Sequence, residues 1–193
     1  YFVWESDETL QTELLVESPP SGFCSLVINY GEPYFLQNKK YERLVVPKQF
    51  IAGQSIFKYT LSLPPKIGIA GIEFKPAALA TLFGLSTFEL TEERMDLFTL
   101  LPQAYFRDYV EKTRATPIPE EKAKLLEELL LHHCRYEQPQ PDYIDYAANQ
   151  IVEMNGVIQL QDLLKDSCMS RRTFERRFFQ KVGLSPKYYA RIR

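Results

Sequence analysis

A chain of 193 residues, 45% hydrophobic and 25% charged, is long enough to bury the core of one large domain or of a medium domain plus a small one. Its formal net charge of -2 excludes a uniformly basic nucleic-acid coat, and no run approaches the roughly 18 uninterrupted apolar residues of a membrane span. The average hides an asymmetry: residues 1–141 carry 14 Lys+Arg against 19 Asp+Glu, while residues 142–193 carry nine against six, all nine at or after Lys165. An acidic body with a basic tail is the pattern of a protein whose tail alone meets polyanions.

The first part reads as β-rich. Residues 12–17, 24–30, 41–46, 56–63 and 67–74 are short runs of β-branched and aromatic side chains. Turn signals separate them at Pro19-Pro20-Ser21-Gly22, Gly31-Glu32-Pro33, Gly53 and Pro64-Pro65. This spacing predicts an antiparallel sheet or a barrel-like fold. A helix is expected over 77–83, started at Pro76 and stopped at Gly84.

From Glu92 the pattern becomes helical. One or two helices are predicted over 93–114, broken at Pro102. The clearest helix spans 119–136, with Pro117 and Pro119 at its entrance, Glu120 and Glu121 complementing its dipole, and Leu126, Leu129, Leu130 and His133 on one side. That stripe reads as core rather than as a dimer seam, being too short for a sustained heptad. His132 and His133 diverge by about 100° on a helix and read as solvated or dipole-complementing groups rather than metal ligands. Residues 137–141 form a polar, proline-bearing linker, so the division expected is a sensor or dimerisation domain at 1–136 and a small all-α unit at 142–193. The expected fold class is α+β.

Past the linker, helices are predicted over 143–154, closed by Asn155-Gly156, over 160–167, and over 171–182, with Ser170 as N-cap and Gly183 as stop. Ser185-Pro186 starts another. Two short helices, a tight turn and a basic third element are the helix-turn-helix arrangement. On the basic helix, Phe174 and Phe178 share the inward face, and Arg172 and Arg176 point away from them with Thr173 and Gln180 alongside. An arginine on such a face can pair bidentately with guanine. Ser170, Arg171, Arg177, Lys181 and Lys187 sit nearer the flanks or ends, where phosphate contacts are expected. Glu175 can accept from cytosine or pair with Arg171 four residues back.

Residues 158–189 read IQLQDLLKDSCMSRRTFERRFFQKVGLSPKYY, and this string resembles the first helix-turn-helix of the AraC/XylS family of transcription regulators. The resemblance rests on Asp162-Leu163, Met169-Ser170, Phe174, Arg176 with Phe178, Gly183 with Ser185-Pro186, and Tyr189. It implies Arg172, Glu175 and Arg176 as base-facing residues and double-stranded DNA as partner. Two positions depart from the family pattern, Leu164 in place of a usual alanine and Cys168 in place of a frequent turn glycine. The family's DNA-binding domain joins two such units by a long helix; residues 186–193 resemble the start of that connector, and the second unit is absent from this sequence, so these residues alone are expected to bind DNA weakly, with poor specificity and strong salt sensitivity. The start at Tyr1 likewise suggests a trimmed chain. In the first part, Trp4, the Pro20-x-Gly22 turn followed by Leu26-Val27-Ile28-Asn29, Gly53-Gln54, and Gly71-Ile72-Glu73-Phe74-Lys75-Pro76 resemble an uncharacterised sensor-like domain found ahead of AraC-type units. That resemblance implies a regulatory input and leaves room for an unidentified small-molecule effector and a homodimer.

No catalytic set is visible: there is no G-x-S-x-G, P-loop or H-E-x-x-H pattern, and neither cofactor nor metal is expected. Trp4, Phe23, Tyr30, Tyr34 and Phe74 are candidates to line a ligand pocket, with ordinary core packing as the competing reading. Cys24, Cys134 and Cys168 are widely spaced and without C-x-x-C, which favours reduced thiols; Cys168 is expected half-buried. With no charged-then-apolar leader, a cytoplasmic location is expected. Two other functions stay open, a protein-interaction module whose helix-turn-helix does not read DNA, and a ligand-binding or enzymatic domain with an incidental tail.

Overall fold

The computed structural model describes residues 1–7 and 10–193 and has an α+β fold. Among the described residues nine strands make two antiparallel sheets. The larger is ordered β1 (Phe2–Glu5), β8 (Gly68–Phe74), β3 (Cys24–Asn29), β6 (Gln49–Ala52), β9 (Arg94–Asp96). The smaller is ordered β2 (Leu14–Ser18), β7 (Tyr59–Leu63), β4 (Phe35–Gln37), β5 (Leu44–Val45). The two do not close into a barrel; they face each other across a core of Val27, Tyr34, Leu36, Val46, Phe50, Ala52, Leu63 and Ile69.

The centre of the larger sheet is buried on both faces, which its sequence anticipates: β3 and β8 are nearly continuous apolar runs rather than alternating ones. Leu26, Ile28, Ile51, Ala70, Ile72 and Phe74 point to the opposite side, where they meet the helices. Those helices are α1 (Ala78–Phe83), α2 (Leu97–Leu100), α3 (Ala104–Ala115) and α4 (Pro119–Glu137). As expected, Pro102 lies in the break between α2 and α3, and Gly84 stops α1 at φ 65°. The expected helix over 93–114 begins later than its composition suggested, because Arg94–Asp96 completes the sheet edge against Phe50–Ala52.

The inward stripe of α4 is Lys122, Leu126, Leu129 and His133, so its apolar face is core. The buried Lys122 ammonium donates to the carbonyls of Thr113 (3.2 Å) and Thr116 and lies 4.0 Å from the centre of the Tyr30 ring; it thereby closes the C-terminal end of α3. His133 is not solvated, contrary to the sequence expectation. Its Nε2 donates to the Leu82 carbonyl (2.6 Å), a pure acceptor, so Nδ1 holds the lone pair and accepts from the Tyr105 hydroxyl (2.7 Å). Packing of α4 onto α1 and α3 is what carries it inward.

Four further helices complete the chain: α5 (Tyr143–Glu153), α6 (Leu160–Lys165), α7 (Arg171–Val182) and α8 (Pro186–Arg191). Their boundaries follow local chemistry. A capping box joins Asp142 and Asp145 at the start of α5, Asn155 (φ 48°) and Gly156 (φ 73°) stop the chain beyond it, and Ser170 and Ser185 cap α7 and α8. Ile144, Ala147, Ala148, Ile151, Leu163, Phe174, Phe178, Val182 and Tyr189 form a second core, which also takes in Ala77 and Ile56 from the first half of the chain. Among the described residues no helix is long and apolar enough to cross a membrane.

Candidate nucleic-acid interface

Helix α7 is positioned from both ends. At its start, the Ser170 hydroxyl accepts from the Thr173 amide (3.2 Å). At its end, Gly183 takes φ 86°, and a Cβ there would come within 3.0 Å of the Thr87 carbonyl, so the chain both reverses and presses against the first half of the molecule. Three contacts from that half hold the last turn. The Gln54 amide donates to the Val182 carbonyl, the Thr87 hydroxyl donates to the Gln180 carbonyl (3.2 Å), and Phe88 stacks on Phe179 at 5.5 Å. Sequence reasoning missed all three. Only the Gly53-Gln54 pair drew notice, and its physical reason is now plain: a Cβ on Gly53 would sit 1.6 Å from the Leu90 carbonyl oxygen.

The basic residues of α7 divide by whether the protein already satisfies them. Arg177 donates to Asp142 (2.7 Å), and Lys181 reaches Asp142 (3.1 Å) and Asp145 (2.6 Å). These two point toward α5 and tie the helices together. Burial alone would raise the Asp142 pKa, but hydrogen bonds from Lys181 and the Ile144 amide, with the charges of Lys181 and Arg177, outweigh it and hold the carboxyl below its ordinary value. Arg171 pairs with Glu175 (2.9 Å), the local alternative for that glutamate. Arg172 and Arg176 are exposed, and among the described residues neither has a hydrogen-bonding or ion-pair partner. With exposed Gln180 they occupy the side of α7 away from buried Phe174 and Phe178. Ser170 and Lys187 are also exposed, beside the helix ends.

The connection into α7 carries a backbone feature. Cys168 is exposed rather than half-buried and has φ 50°, a left-handed conformation that favours glycine. Its side chain points outward because the turn's inward space is taken by Leu164 and Met169, which pack against the second core.

The aromatic candidates do not converge. A cavity of about 370 Å³ lies between the two sheets, and Trp4 and Tyr34 line it. Tyr30 and Phe74 face the helical layer instead: the Tyr30 hydroxyl donates to Glu5 (2.7 Å), and Phe74 meets Phe83 edge-on. Phe23 lies under the Arg193 guanidinium, 3.8 Å from ring centre. Two charged residues that sequence reasoning did not single out, Glu73 and Arg94, line the cavity as well. Strict alternation along β8 assigns Glu73 to the face opposite Ile72 and Phe74, a signal that was available in the sequence.

The family model of a domain of unknown function, DUF6597, matches residues 1–96. No curated protein and no solved structure matches the chain.

Proposed function

We propose that this chain, with an uncharacterised domain over residues 1–96 and a basic helix held against it, is part of a cytoplasmic, sequence-specific transcription regulator of the AraC/XylS type. The observation that carries the reading is the contrast along α7. Arg171, Arg177 and Lys181 are neutralised by carboxylates of the protein, whereas Arg172 and Arg176 project from the exposed face unpaired. An unpaired guanidinium on the outer face of a capped helix offers its donor fork to the O6 and N7 acceptors of guanine in a major groove. Ser170 and Lys187 flank that face and supply phosphate contacts; Arg177 and Lys181 reach phosphate only by sharing their charge with Asp142 and Asp145. The first half of the molecule provides the effector-sensing or dimerising input, and paired sites raise effective concentration where single-site affinity is modest.

The test is selection of duplexes from a random pool by the natural reading frame, beside an Arg172→Ala/Arg176→Ala double variant whose folding is checked by circular dichroism. A motif recovered by the parent and lost by the folded variant is the expected result, each arginine being worth about 1–3 kcal/mol of base discrimination. Enrichment of one motif by both proteins would remove base reading from this face of α7.

A further inference from the structure

One cross-strand row runs along the floor of the inter-sheet cavity, beside Val27, Phe50 and Ile69. Glu73 on β8 is opposite Ser25 on β3, Ser25 is opposite Ala52 on β6, and Ala52 is opposite Arg94 on β9. All four line the cavity, as side chains directly opposite one another on adjacent strands must share a face. The row therefore has a carboxylate at one end, a guanidinium at the other, and two small side chains between them. Three strand spacings of about 4.8 Å place the Cα atoms of the two ends roughly 14 Å apart, and among the described residues the two side chains form no ion pair with each other.

Neither side chain is held in an ion pair, although Arg94 is near enough for its charge to act on the Glu93 carboxyl and lies over the Tyr59 ring at 5.4 Å. Among the described residues no carboxylate forms an ion pair with Arg94, and none of the cations pairs with Glu73. Arg94 uses one donor on the Glu93 carbonyl (2.9 Å) and one on the Ser55 hydroxyl (3.1 Å), and a guanidinium has five. Apart from Ser18 and Ser21, the rest of the wall is apolar or aromatic, with Phe2, Trp4, Tyr34, Phe50 and Tyr59 around the row. Glu73 is exposed and Arg94 half-buried, so both charges are open to a ligand that enters the cavity from solvent.

We propose that the inter-sheet cavity binds a small extended zwitterion, its carboxylate held by Arg94, its ammonium by Glu73, and its apolar middle lying over Ser25 and Ala52. The dimensions fit an ω-amino acid or short peptide. Six single bonds of about 1.5 Å, extended, separate the charges of 6-aminohexanoate by roughly 7.5 Å. Adding a charge-assisted hydrogen bond of about 2.8 Å at each end gives roughly 13 Å, close to the row's span. The cavity volume lies within the usual range for small-molecule sites. The site does not depend on α7 reading DNA, so failure of either idea leaves the other standing.

Trp4 is the chain's one tryptophan and lines the cavity, so its fluorescence reports occupancy directly. The experiment titrates the full chain with 6-aminohexanoate, hexanoate and hexylamine, which share a chain length and differ in charge. The expected result is a saturable change with the zwitterion and at least about tenfold weaker binding of each single-charge analogue. Arg94→Gln should bring the zwitterion down to the affinity of hexylamine, and Glu73→Gln to that of hexanoate. Because Arg94 also holds Ser55, Ser25→Leu serves as a second variant: it keeps both charges, fills the middle of the row, and should abolish the response. No saturable response to 6-aminohexanoate by about 20 mM, equal affinity for all three compounds, or unchanged binding by Ser25→Leu would overturn the proposal.

Discussion

Cys168 sits at φ 50°, where a side chain with a Cβ costs about 1–2 kcal/mol relative to an ordinary conformation. The thiol is free and exposed, so little burial offsets this cost. Cys168→Gly should therefore raise stability by about 1 kcal/mol, less the entropy glycine adds to the unfolded chain; denaturant midpoints at unchanged slope would show it, and a fall in midpoint would refute it. His133 presents the opposite case. Its two ring nitrogens serve the Leu82 carbonyl and the Tyr105 hydroxyl, so His133→Phe keeps the ring but strands both partners. A loss of about 2–3 kcal/mol is expected, where a solvated histidine would lose almost nothing. The sequence placed His133 on the apolar stripe of its helix, yet its partners come from α1 and α3, 51 and 28 residues away. No local pattern contains that information.

At the scale of elements, α7 is held by groups remote in sequence, and those groups are the ones to vary. Thr87→Val preserves shape but removes the donor to Gln180, and Gln54→Ala removes the donor to Val182. Each should cost about 1–2 kcal/mol and, by loosening the last turn, make trypsin cut sooner after Arg177 and Lys181. Cleavage at the parental rate in both variants would show that the stack of Phe88 on Phe179 suffices. The ties from α5 respond to acidity. Asp142 has its pKa depressed in the folded protein, so its contribution is complete above the ordinary carboxylate value of 3.8 and is lost as pH falls through the lower folded value. Asp142→Asn should remove that part of the acid sensitivity and lower stability at neutral pH, measured as midpoints across the acidic range. Helices α5 and α7 and the start of α8 were legible almost to the residue, since Ser170 and Ser185 cap α7 and α8 and Gly156 and Gly183 mark left-handed stops. Helix α6, without a side-chain cap or a left-handed stop, ends two residues before the expected 167. Strands β1, β4, β6 and β9 were missed, each being three or four residues long, too short for a period of two to register.

For the whole molecule, the second hydrophobic core joins what sequence reasoning divided. Ala77 and Ile56 lie in the same cluster as Phe174, Phe178 and Tyr189, and a Cβ on Gly22 would meet the Tyr189 ring at 2.6 Å. The polar segment over 137–141 marks a change of charge balance, but patterning along one helix cannot reveal which distant residues share its core. Trp4 fluorescence and helical circular dichroism should accordingly melt together, with Ile56→Ala lowering both midpoints; separate transitions would indicate two independent units. The double burial at the centre of the larger sheet sets a further hierarchy, one of time. Strand β3 is paired on both sides and covered on both faces, whereas β2 and β5 are outer strands of the smaller sheet. In deuterated water the amides of Leu26 and Val27 should exchange only when the entire protein opens, making them its slowest clock, while those of β2 turn over long before.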